Sequence, residues 1–313
     1  MKKVIHYITN YKNDHLNWYE LAFALLFMAS FAWFNYGTTI LRDYWYTNYW
    51  SGNIYRFFFV LYFSPIALGY LSYSFFNKDW SIWKNPKFWM LILLAGATFA
   101  GRSSIHLVLE PFFASWSSFE HIAWLKAVVG TVIRSGMLLT PLAIYWYVVD
   151  RKNQPYYGFT LKNFDTKPYF MMLLIMLPLI ILASTQSDFL GAYPRGQKFE
   201  SLDIHNAAQW KYFGLYELIY GLDFISIEFF FRGFMVLAFV AVLGPKSILP
   251  MAMFYVVIHW GKPAGELVSS FFGGTLLGII AYYSKSILGG IIVHMGIAWM
   301  MEIGALIGNY FNT

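Results

Sequence analysis

Long apolar stretches separated by short polar or basic ones dominate the chain. They fall at 18–41, 54–76, 87–109, 124–149, 167–187, 210–243, 246–261, 264–284 and 286–309. A helix needs roughly 20 mainly apolar residues to cross the hydrocarbon core of a bilayer. The pattern therefore predicts an all-α fold, a polytopic membrane bundle of about eight or nine transmembrane helices, with one short segment open to a re-entrant reading. The 210–243 stretch is too long for one perpendicular crossing. At 1.5 Å per residue it would run about 50 Å against a core of about 30 Å. It is expected to start outside the hydrocarbon, tilt or break, with Gly214 and Gly221 as the weak points. The polar stretch 188–209, with Pro194 and Gly196, divides the chain into N-terminal helices (1–187) and a C-terminal core (210–313). No internal repeat or low-complexity segment interrupts the pattern.

Composition agrees with the pattern. Of 313 residues, 58% are hydrophobic, 22% aromatic and only 12% charged, where a soluble domain has about a quarter charged. The absence of cysteine excludes disulfides and thiolate metal sites. The formal net charge of +6 comes from lysines and arginines placed between apolar segments. That is the mark of membrane topology rather than of a nucleic-acid partner. Lys2, Lys3 and Lys12, Lys78, Lys84 and Lys87, and Arg151, Lys152, Lys162 and Lys167 fall in alternate connections, as do Lys246 and Lys285. The intervening 110–121 loop carries Glu110 and Glu120 instead. Positive charge accumulates on the cytoplasmic side, so a cytoplasmic N-terminus and an extracytoplasmic 188–209 loop are expected. The first twenty residues lack the short apolar core and small-residue cleavage site of a removable signal peptide.

Ionisable groups inside a bilayer are expensive and often mark function. Here they are Arg102, His106, Arg134, Glu217, Asp223, Glu228, Arg232, His259, Glu266, His294 and Glu302. Arg102, His106 and Arg134 show no recurring spacing and read as contacts between helices. Glu228 and Arg232, in "IEFFFRG", are four residues apart, so they share a helix face and can pair. Glu217 is eleven residues before Glu228, on nearly the same face but about 16 Å away, and is expected at the rim. His259 ends "YVVIH" and His294 lies in "HMGIA", in separate segments. Two histidines and a glutamate from three segments point to one shared cavity. The glycines of "FGGTLLG", Phe272 to Gly278, allow close helix approach.

These motifs, in this order over roughly 208–305, resemble the CAAX-protease and bacteriocin-processing (CPBP, or Abi) intramembrane proteases. The family pattern is Glu-Glu-x-x-x-Arg, then Phe-x-x-x-His, then a glycine-rich helix, then His-x-x-x-Asn. Three positions depart from it. Ile227 replaces the first glutamate, taken as the residue that activates water. Ala298 replaces the asparagine thought to help hold the oxyanion, and Tyr255 replaces the phenylalanine. The string "HWGKPAGE" and the later Glu302 are similar to a bacterial branch with a carboxylate just after the second-motif histidine, so Glu266 is a candidate partner.

The resemblance implies an intramembrane endopeptidase acting on membrane-associated, prenyl- or bacteriocin-type peptides. Glu228 would be the base, oriented by Arg232. His259 and His294 would be polarising donors or, with Glu228, ligands of a zinc ion. A metal-free water activated by glutamate is equally compatible with these side chains. A bacterial cytoplasmic membrane, contact with lipid and a peptide or membrane-protein substrate are the expected setting. The altered motif positions leave open a catalytically inactive scaffold with a protein partner. A transporter is a third reading, disfavoured by the lack of an internal repeat.

Overall fold

A computed structural model describes residues 1–152, 154–162, 164–199, 201–202 and 206–312. Among them the regular structure is entirely helical. The principal helices are α1 (Lys2–Asp14), α2 (Trp18–Gly37), α3 (Asn53–Asn77), α4 (Pro86–Ser104), α5 (Ile122–Tyr145), α6 (Lys167–Ala183), α7 (Trp210–Glu228), α8 (Ile248–Val257), α9 (Ala264–Ser284) and α10 (Leu288–Asn312). A π-helical segment, Phe229–Ala238, continues α7. Local chemistry sets several boundaries. The Asn17 and Asn85 side chains accept the backbone N–H groups of Tyr19 and Lys87, capping α2 and α4, and Pro86 opens α4. Lys78 and Lys285 close α3 and α9 in the left-handed conformation, with φ of 54° and 56°.

Among the described residues six helical runs are long and apolar enough to cross a membrane, and α1 with α2, bent by 109°, make a seventh if the pair is one span. The number of passes is larger because the run 207–257 reverses within itself. The Phe230 and Phe254 rings are 5.7 Å apart and those of Phe231 and Tyr255 4.8 Å. A straight helix would hold Phe231 and Tyr255 about 36 Å apart. The turn lies at Gly244, whose φ of 58° suits a residue without a side chain. Hence α7 with its π segment and α8 are two arms that lie side by side. The helix α6, of 17 residues, and α8, of 10, are the passes that fall short of spanning length. Every residue of α8 is buried, so it is a core helix held between α2, α3 and α9.

The two ends differ in charge. At one end Lys87 pairs with Asp150 at 2.7 Å, Lys246 donates to the Tyr73 hydroxyl at 2.9 Å, and Tyr7 stacks on Tyr283. This end gathers the basic connections named above. At the other end the Tyr36 hydroxyl donates to the Lys262 carbonyl at 2.7 Å and Trp45 meets Trp260 edge-on. There His121 bonds the Ser201 hydroxyl at 3.1 Å.

Two expectations about the long 210–243 stretch are corrected. Gly214 and Gly221 lie inside unbroken α7, and the irregular part is the π segment beyond Glu228. Gly221 serves packing instead, because a Cβ there would collide with the indole of Trp299 on α10. The Trp299 N–H is fixed on the Glu217 carbonyl at 3.0 Å, so the ring has little freedom to retreat. We expect Gly221→Ala to destabilise the protein by ~1–3 kcal/mol, the usual range for overpacking. A lowered thermal midpoint in detergent would show it, and an unchanged midpoint would mean that α7 and α10 are not locked at this crossing.

Candidate active site

The site begins at the end of α7. Glu228 is fully buried, and so is Arg232 in the π segment. Arg232 Nη1 donates to Glu228 Oε1 at 2.9 Å, the pairing that their spacing permits. The same oxygen accepts from His294 Nδ1 of α10, also at 2.9 Å. A carboxylate can only accept, so Nδ1 carries the proton and the lone pair lies on Nε2. That nitrogen meets the hydroxyl of Tyr255 on α8 at 3.1 Å. The guanidinium of Arg232 lies over the Tyr255 ring, 4.5 Å from its centroid. Phe224, one turn before Glu228, covers the other side of the imidazole, with ring centroids 4.3 Å apart. The remaining carboxylate oxygen, Oε2, faces the backbone of Gly290, at the place a Cβ would occupy. Oε2 and the Nε and Nη2 atoms of Arg232 are buried and find no hydrogen-bond partner among the described residues.

His259 joins this group through the backbone. Its Nδ1 donates to the Tyr255 carbonyl at 2.6 Å, and its Nε2 lies 4.0 Å from Glu266 Oε1. Glu266 is held by Lys262 at 2.6 Å and by the Tyr193 hydroxyl at 2.8 Å. Both His259 and Lys262 lie in the turn between α8 and α9. Burial pushes His259 down to about 4 against the pull of Glu266. Burial, with Arg195 nearby, brings Lys262 down to about 8. The five site residues inferred from sequence thus form one polar column, Arg232–Glu228–His294 joined through Tyr255 to His259–Glu266.

Glu302 stands apart from His294. Its Oε2 accepts the backbone N–H of Arg195 at 2.9 Å. The Arg195 guanidinium sits between the Tyr193 and Tyr220 rings, 5.4 Å from each centroid. Glu217, expected at the rim, is partly buried beside Glu302 at a cavity mouth, where the segment around Gly196 lies against it. Pro194, Gly196, Phe213, Glu217, Trp299 and Glu302 line a half-open cavity of about 350 Å³ there. It lies about two helical turns along α10 from His294. Elsewhere, Arg102 pairs with Asp223, which also accepts the Ser135 hydroxyl at 2.5 Å, and His106 Nε2 meets the Tyr49 carbonyl at 2.7 Å. Arg134 donates to Thr131 of its own helix. Sequence reasoning named Arg102 and Asp223 without pairing them. It missed Tyr193 and Arg195, which carry no motif, and gave no role to Lys262, inside "HWGKPAGE", or to Tyr255.

The donor set does not fit the zinc ion considered for Glu228, His259 and His294. Both nitrogens of His294 are engaged by protein groups, and Glu228 Oε1 is shared between Arg232 and His294. His259 Nδ1 bonds the Tyr255 carbonyl of α8. Among the described residues no three histidine or carboxylate side chains converge at ligating distance.

Residues 210–300 match the family model described as type II CAAX prenyl endopeptidase Rce1-like. This segment is similar to the Rce1-like endopeptidase domain. It contains Glu228, Arg232, Tyr255, His259, Glu266 and His294, and it ends before Glu302. No curated protein and no solved structure matches the chain. The Rce1-like domain is enclosed by the N-terminal helices, with α7 on α5 and α8 on α3. The protein is an integral membrane protein, and the family resemblance is confined to residues 210–300.

Removing one partner of a buried ion pair strands the other charge, at a cost of about 3–5 kcal/mol. Arg232→Ala should therefore abolish accumulation of folded protein. Glu228→Leu with Arg232→Met, which removes both charges, should recover most of the stability. Size-exclusion profiles and thermal midpoints of the single and double variants test this. Equal behaviour of the two would show that the pair is not energetically coupled. Gly290→Ala should cost ~1–3 kcal/mol by driving a methyl group into Glu228, with loss of thermal stability as the readout.

Proposed function

We propose that this chain is an intramembrane endopeptidase that cleaves a membrane-associated peptide, of the prenylated CAAX or bacteriocin-leader type, with its basic end in the cytoplasm of a bacterial cell. The excess of lysine and arginine at one end of the bundle supports the orientation. The observation that carries the chemistry is the hydrogen-bonded series Glu228–His294–Tyr255, buried inside the Rce1-like domain.

Amide hydrolysis requires a base for water and a donor for the charge that develops on the carbonyl oxygen. We assign the base to His294 rather than to Glu228. Glu228 is enclosed by Arg232, His294 and Gly290, whereas His294 is partly exposed and its Nε2 carries the lone pair. In this reading Nε2 takes a proton from water as the oxygen attacks the peptide carbonyl. The imidazolium is stabilised by Glu228 through Nδ1, and it returns the proton to the departing amine nitrogen as the C–N bond breaks. Glu228 is a positioning residue, which bears on the isoleucine at 227: the base is supplied by another helix. Arg232 holds the carboxylate in place. Helices 1–187 act as the frame around the catalytic core. His259 and Glu266 order the turn through which α8 meets α9.

The test works whatever the substrate is. Membranes from cells producing the wild-type chain and the His294→Gln variant, at equal abundance, are compared for newly created peptide termini by mass spectrometry. A set of termini present with the wild type and lost with His294→Gln is expected. Identical sets would overturn the enzyme reading in favour of a scaffold that binds a partner without cleaving it.

A further inference from the structure

We infer that the Tyr255 hydroxyl is a catalytic donor, capping the His294 lone pair at rest and holding the oxyanion during cleavage; this rests on the endopeptidase reading. Three observations carry it. The hydroxyl is 3.1 Å from His294 Nε2, the nitrogen that must receive the proton of water. It therefore borders the place where the attacked carbonyl has to sit, since a reacting carbon must lie within about 3 Å of both nucleophile and oxyanion donor. Next, the Arg232 guanidinium lies over the Tyr255 ring, and a cation there favours negative charge on the oxygen that the phenol holds. Finally, Ala298, one turn beyond His294 on α10, is buried and supplies no side-chain donor.

The backbone also fixes where the hydroxyl can be. Tyr255 is buried, its carbonyl accepts from His259, and its ring edge lies 2.9 Å from the position of a Cβ on Gly274, so the ring is clamped between α9 and the π segment. Only the hydroxyl hydrogen is free to turn, by rotation about its C–O bond. At rest it points to Nε2. When substrate and water enter, water takes that place at Nε2 and the hydroxyl turns to the carbonyl oxygen. Water then loses a proton to Nε2, its oxygen bonds to the carbonyl carbon, and the carbonyl π pair moves to the oxygen held by Tyr255. On collapse that pair re-forms the C=O bond, the C–N pair leaves with nitrogen, and the imidazolium proton follows it. The tyrosine donates a hydrogen bond and keeps its proton throughout.

Tyr255→Phe removes one oxygen atom and keeps the ring, so the fold is expected to survive. The resting contact is read without turnover, from the full chain with ¹⁵N-labelled histidine in nanodiscs. The His294 Nε2 resonance should shift in Tyr255→Phe, and an unmoved resonance overturns the inference. Turnover is read on a peptide spanning one cleavage site that depends on His294. Tyr255→Phe should lower kcat about 10²-fold with little change in KM, in line with loss of one oxyanion donor. Adding Ala298→Asn to Tyr255→Phe should restore part of kcat by supplying a donor from α10. A Tyr255→Phe enzyme with wild-type kcat, while His294→Gln is inactive, overturns this inference and leaves the endopeptidase reading standing. Absence of any His294-dependent cleavage in the wild type removes both.

Discussion

A carboxylate with no access to water is the constraint around which this bundle is organised. An isolated ionised group in a low-dielectric interior is costly by far more than a folded protein's net stability, so its partners are obligatory. Glu228 has two, and they come from different places in the chain: Arg232 from the next turn and His294 from α10. The first contact is local and could form in an isolated helix. The second requires α7 and α10 to be side by side at one register. The absence of a side chain at Gly290 permits that approach, and the fit of Trp299 against Gly221 repeats it farther along the same two helices.

From that crossing the rest of the polar interior follows in order. Arg232 is covered by the Tyr255 ring, which fixes α8; His259 closes back on α8 and brings the turn to Glu266 at the start of α9. The segment around Tyr193 and Arg195 then completes the network from outside, through Glu266 and Glu302. A second, separate pair, Arg102 with Asp223, ties α4 to α7 on the opposite side of the same helix. Both pairs use α7, so one helix carries the charges that align the N-terminal frame with the C-terminal core.

Much of this was legible in the sequence, for reasons that differ by residue. The all-helical membrane class followed from runs of apolar residues, since a bilayer leaves few other options. The Glu228–Arg232 pair followed from helical periodicity. The involvement of His294 and His259 followed from the rarity of ionisable groups at such positions. What could not be read was set by contacts between distant segments. Hydropathy does separate 210–243 from 246–261, on either side of the turn at Gly244. It cannot reveal that Glu217 lies against a loop, or that the conservative-looking tyrosine at 255 aims its one polar atom at a histidine. The glycines expected to weaken α7 were misjudged for a related reason: a glycine's role depends on what faces it, and at position 221 that is an indole ring.

The shortness of α8 has a consequence for how it is held in the membrane. Its 10 residues give a rod of about 15 Å, half the thickness of the hydrocarbon layer. Such a segment cannot be retained in a bilayer by its own transfer free energy, and its last turn would leave unbonded backbone groups in lipid. It is stable only where protein surrounds it, and all of its residues are covered. Its place in the membrane therefore depends on α2, α3 and α9, which cover it. The helix that carries Tyr255 is thus held in the bilayer by its protein neighbours rather than by lipid.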